Sequence, residues 1–222
     1  MRRDGRACDD PAVPTYAAQE RAQLADALAA AGADAPTLCE GWTAQDLAAH
    51  LAARERRADS GPGLMLPFLA GYTERVRQGY LKQPFPALVE LVRDGPPWFS
   101  GFALPGADSF ANTVEFFVHG EDVRRGRPGW TARSLDPGLE DELWSRLKKQ
   151  SRLMFRRSPV GVVLARDGGE RVSVGADGPH VLLSGAPGEL LLYAFGRTGA
   201  ANVTVDGSAD AVRQFQAARL GL

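Results

Sequence analysis

The hydrophobic periodicity of this chain changes once, near residue 157, and that change limits the folds open to it. Upstream, apolar residues recur every three or four positions; downstream, they alternate in short runs. Tyr16 to about Ala31 reads as an alanine-rich helix with Leu24 and Leu28 inward and Gly32 closing it. Thr43-Ala-Gln-Asp46 opens a second helix as a capping box, with Asp where Glu or Gln is commoner, and Leu47 and Leu51 as core positions. After the break at Ser60-Gly-Pro-Gly63, a third helical region covers 67–81 and a shorter one covers 86–93. Residues 95–106 form an irregular loop, expected to make a pocket rim. A long helix over 107–125 stops at Gly126 and Pro128, and Asp136-Pro137 starts another that runs to about 157.

The alternating part predicts strands at 160–165 and 171–174 around a turn at Asp167-Gly-Gly169, then a strand at 180–183. A helix at 189–197, a strand at 203–205 and a last helix at 209–219 complete it. The reading is α+β: a disordered leader at 1–13, a helical bundle at 14–130, a linking helix at 131–157 and a small α/β domain at 158–222.

Charge and cysteine content exclude several classes. A net charge of −1 leaves no electrostatic footprint for nucleic acid. No apolar run approaches the roughly 20 residues of a membrane helix. Arg2, Arg3 and Arg6 have no apolar stretch behind them, so the start is not a secretory signal. Two cysteines, Cys8 and Cys39, make no disulfide framework, and a cytoplasmic location is expected. Cys39, before Gly41-Trp42, reads as a buried structural cysteine.

Chemistry concentrates in the helix after the loop. Glu115, His119 and Asp122 lie at i, i+4 and i+7 and so share one face, flanked by Ala111 and Val118 on one side and Phe116 and Val123 on the other. A charged stripe between apolar neighbours is not the usual solvated face of a surface helix. A buried ionised carboxylate is costly unless paired or holding a metal, and Glu115 and His119 can both point at one ion. The pair alone also fits a simple hydrogen bond, so a third ligand is needed. His50 projects at the edge of the second helix's apolar stripe, where, taken alone, an ordinary core or boundary histidine is the better reading. Asp46 is explained as a cap but, four residues earlier, could orient His50. Asp122 is placed to hold the second nitrogen of His119. The run Arg54-Glu-Arg-Arg57 reads as a solvated helix end, and His180 stands apart from any site.

The stretches Cys39-Glu-Gly-Trp-Thr-Ala-Gln-Asp-Leu-Ala-Ala-His50 and Asn112-Thr-Val-Glu-Phe-Phe-Val-His-Gly-Glu-Asp-Val-Arg124 resemble the DinB-like four-helix bundle superfamily. They resemble more closely the N-terminal domain of mycothiol-dependent maleylpyruvate isomerases, and most of all an actinobacterial, metal-binding branch of that family without an assigned reaction. Gly188-Glu-Leu-Leu-Leu-Tyr-Ala-Phe-Gly-Arg197 is similar to the family's small α/β, sterol-carrier-like domain. The resemblance implies one divalent metal on His50, Glu115 and His119. It also implies an assisting arginine from the second domain, for which Arg197 is the candidate; Arg54, one turn beyond His50, could meet a carboxylate or sugar hydroxyls.

Two histidines and one carboxylate suit Zn²⁺, with Ni²⁺ or Fe²⁺ as alternatives, and three protein ligands leave positions for water or substrate. Three functions follow. One is a mycothiol-dependent transferase or isomerase acting through a metal-activated thiolate on a small electrophile. Another is a metal-assisted hydrolase, with Asp122 as its available base. The last is a non-catalytic metal-containing binding module.

Overall fold

The structure, a computed structural model, describes residues 14–57, 70–97, 107–175 and 178–218. The leader at 1–13, the break at 60–63 and the loop at 98–106 lie outside the described residues.

The helical half holds α1 (Tyr16–Ala31), α2 (Ala44–Arg56), α3 (Ala70–Tyr80), α4 (Phe85–Asp94) and α5 (Ala107–Arg124). Thr15 caps α1 through its hydroxyl, and Gly32 closes it at φ 84°, a left-handed conformation that costs glycine little. Thr43 and Asp46 form the expected capping box on α2. The longest packing seam joins α1 to α5, with α4 against α1 and α2, and α3 outside on α2. Leu24, Leu28, Leu47, Leu51, Leu88, Val92 and Phe116 fill the core between them.

The end of α2 is not a solvated tail, which corrects the reading of 54–57. Glu55 is buried and pairs with Arg21 of α1 at 2.6 Å, and Arg56 donates to the carbonyls of Leu91 and Gly95. The cause is α4, which packs beside the last turn of α2 and takes its charges out of water.

The second half begins with α6 (Pro137–Met154), capped by Asp136. It continues through β1 (Gly161–Arg166), β2 (Arg171–Val174), β3 (His180–Gly185), α7 (Pro187–Ala194), a single 3-10 turn (Thr198–Ala200), β4 (Thr204–Gly207) and α8 (Ala209–Ala217). The sheet runs β2-β1-β3-β4: β1 and β3 are parallel, and β2 and β4 are antiparallel edges. Gly168 and Gly169, both at positive φ, turn the β1–β2 hairpin at the predicted place. Leu139, Leu143, Trp144 and Leu147 bring α6 into the same core as Leu164, Leu183, Leu190 and Phe215. Phe117 and Val118 of α5 reach that core too, so α5 has one face in each half.

Candidate metal site

Three elements meet where the site lies. The capping box fixes the start of α2, which places His50 on its second turn facing α5. On α5, the helical period stacks Glu115 and His119. The atoms His50 Nε2 and His119 Nε2 lie 3.7 and 3.4 Å from the same oxygen, Glu115 Oε1. All three ligand atoms fall within 4.8 Å of one another. For a tetrahedral metal with bonds of about 2.1 Å, neighbouring ligand atoms sit roughly 3.4 Å apart. The donor set and its spacing fit such an ion.

Burial alone would push the Glu115 carboxyl up. Hydrogen bonding from His119 and His50, with the charges of His119 and Arg54, outweighs it and holds that carboxyl well below the ordinary range. Burial would push His119 down, but Asp122, Cys39 and Glu115 hold it well above its usual value.

Asp122 lies behind His119, fully buried, with Oδ2 2.9 Å from His119 Nδ1. The second nitrogen of this histidine is thereby oriented, as expected for a metal-binding imidazole. Arg197, from just after α7, donates to both oxygens of Asp122 at 2.8 and 2.7 Å. Cys39 completes the cluster: its thiol donates to Asp122 Oδ2 at 3.1 Å, with Arg197 Nη2 3.6 Å from Sγ. Burial opposes ionisation of Asp122, yet His119 and Arg197 lower its pKa to about 2.

Cys39, His119 and Asp122 also lie close enough to hold an ion. The Arg197 guanidinium already neutralises that cluster, so a cation is better placed on the other face of His119. Cys39 is therefore a wall residue of the site rather than the buried structural cysteine expected. Asp46 does not orient His50 either. One of its oxygens accepts from the Thr43 backbone and hydroxyl, and the other from Arg77 at 2.6 Å. Arg54 does stand at the site, with Nε 3.4 Å from Glu115 Oε1 and Nη1 donating to Asn112. His180 is exposed at the start of β3, away from the cluster.

A pocket of about 710 Å³ opens onto these groups. Cys39, Trp42, His50 and His119 of the helical half line it, together with Arg197 and Gly199 of the α/β half. Arg127 and Trp130, which the sequence reading did not single out, extend it past the end of α5. Their signal was weak: a loop arginine and tryptophan acquire a role only once the second half packs beside them.

A two-histidine, one-carboxylate cluster on facing helices, covered by a small α/β domain that contributes an arginine, defines the class: a bundle with a candidate metal centre at its domain junction. The relationship to known proteins is more particular. Residues 16–79 match the family model described as the mycothiol maleylpyruvate isomerase N-terminal domain. The crystal structure of the mycothiol-dependent maleylpyruvate isomerase superposes with a TM-score of 0.59 at 17% identity, covering 86% of this chain and 90% of that one. Its histidine-to-alanine mutant gives 0.54 at 15% identity with the same coverage. No curated protein matches the sequence significantly. Residues 16–79 are thus similar to that family's N-terminal domain, and the chain shares the α+β fold of the solved isomerase. Among the described residues, no helix is long and apolar enough to cross a membrane.

Proposed function

We propose that this protein is a metal-dependent enzyme of the thiol-dependent transferase or isomerase type. It takes mycothiol as co-substrate and a small electrophile as substrate. The carrying observation is the convergence of His50, Glu115 and His119 on one point beside a pocket that Arg197 also lines. A divalent metal bound there, Zn²⁺ being the ion that best suits these donors, would favour the thiolate form of a coordinating thiol at neutral pH.

The chain's own residues do the rest. Asp122 holds His119 with its Nε2 toward the cluster, and fixes Arg197 by two hydrogen bonds so that its charge stays at the pocket wall. Arg197 can thereby stabilise negative charge developing on a substrate oxygen. Arg54 balances Glu115 from the bundle side. The hydrolase reading is weaker because its base is occupied: Asp122 is fully buried, with both oxygens engaged by Arg197, His119 and Cys39.

The test is metal content of protein purified without chelator, with calorimetric binding of mycothiol to the same sample. One equivalent of zinc, with thiol binding that disappears in His119→Ala, is expected. Zinc without thiol binding would return the site to a hydrolase or a binding module. Absence of metal under conditions that load a known zinc enzyme would remove the metal centre.

A further inference from the structure

The two histidines are held in different ways. His119 has its second nitrogen tied to Asp122. The His50 ring turns its Nε2 toward Glu115 Oε1 at 3.7 Å; among the described residues no carboxylate holds its second nitrogen as Asp122 holds that of His119, and the ring packs against two others. The Trp42 ring lies 5.2 Å from it at 53°, and the His119 ring 5.7 Å away at 72°. These are the tilted and edge-to-face geometries that aromatic pairs prefer.

Trp42 is itself clamped. The Arg77 guanidinium lies 5.0 Å from its ring centroid, on the side of a cation–π contact. Arg77 is fixed in turn by Asp46 at 2.6 Å and by a fork of two hydrogen bonds to Glu74 at 2.7 and 2.8 Å. The Trp42 carbonyl accepts from the Thr37 hydroxyl at 2.8 Å, which pins the backbone as well. A chain of contacts thus runs from α3 through Arg77 and Trp42 to His50.

We propose that Trp42 is a positioning residue for His50, setting by ring packing the orientation that His119 receives from a carboxylate. The inference rests on the metal reading of the site. It also gives Asp46 a place in the assembly, as an anchor of Arg77. Trp42→Phe keeps a ring against His50, whereas Trp42→Ala removes it and lets the imidazole rotate away from the cluster.

The test is titration of the apo-protein with Co²⁺ alone, following its visible absorption, for wild type, Trp42→Phe, Trp42→Ala, His50→Ala and the Trp42→Ala/His50→Ala double variant. Trp42→Phe should bind with near wild-type affinity and spectrum. Trp42→Ala should weaken binding about tenfold or more, the scale of losing an orienting contact behind a metal ligand. Its spectrum should move toward that of His50→Ala, with far-UV circular dichroism unchanged. Adding Trp42→Ala to His50→Ala should cost little more, because the residue acts through the histidine. Wild-type affinity in Trp42→Ala, or full additivity of the two changes, would overturn the proposal. If wild type binds no Co²⁺, or His50→Ala binds as tightly, the metal reading itself fails and this inference with it.

Discussion

Asp122 is the residue on which the site turns. It is fully buried and takes Arg197 on both oxygens, His119 on one and the Cys39 thiol on the same one. A buried carboxylate holds its charge only with such partners. Asp122→Asn keeps the shape but removes the charge, leaving Arg197 and His119 without their anion. Metal affinity should fall about 10- to 100-fold, measured by competition with a chromogenic chelator; an unchanged constant would show that His119 is oriented by something else. Glu115→Gln, which keeps an oxygen, should weaken binding less than His50→Ala or His119→Ala in the same competition. A glutamine variant weaker than either alanine variant would count against Glu115 as one ligand among three. The stripe Glu115, His119 and Asp122 was legible in the sequence because a helix fixes which residues share a face. His50 needed the resemblance, since nothing local distinguishes it from a boundary histidine. Cys39 was misread because its partners, Asp122 and Arg197, are 83 and 158 residues away.

At the scale of elements, α2 and α5 must keep their register for His50 to face Glu115, and the segment before α2 provides it. The Leu38 N–H donates to the carbonyl of Asp122, and a Cβ on Gly126 would lie 2.1 Å from the backbone oxygen of Pro36. No rotamer relieves that overlap, so Gly126→Ala must push the 36–38 segment off the end of α5. A loss of about 1–3 kcal/mol or more in stability is expected, by thermal or urea unfolding, together with weaker metal binding. Wild-type stability would mean that this contact does not set the register. Element boundaries followed local chemistry where a cap was present: Thr15, Thr43 and Asp136 begin their helices where the sequence placed them. The helix expected over 189–197 instead covers Pro187–Ala194, because Gly196 at φ 88° turns the chain out of it. That turn carries Arg197 back toward Asp122.

The whole molecule depends on how its halves meet, since the pocket has walls from both. Besides the Arg197–Asp122 pair, the junction is held by Arg125, which follows α5 and is buried. It bonds Glu121 of α5, both oxygens of Glu189 on α7 and the carbonyl of Ala200. Glu189 also accepts from the Asn202 N–H at 2.7 Å. Burial alone would raise the Glu189 carboxyl, but Arg125 and that N–H outweigh it and hold the pKa below its ordinary 4.5. A carboxyl depressed by folding stabilises the native state above its unfolded value, and this contribution is lost as the pH falls from about there through the depressed folded value. Wild type should therefore lose stability on acidification through that window more steeply than Glu189→Gln. The variant starts lower at neutral pH because Arg125 has lost an anion, and the gap between the two should close as the pH falls. Thermal unfolding from pH 7 down to pH 3 measures the difference, in which carboxylates common to both proteins largely cancel. Curves that stay parallel throughout would mean that Glu189 does not couple docking of the α/β half to proton binding, and that Arg197 is held over the site by Asp122 and apolar packing alone.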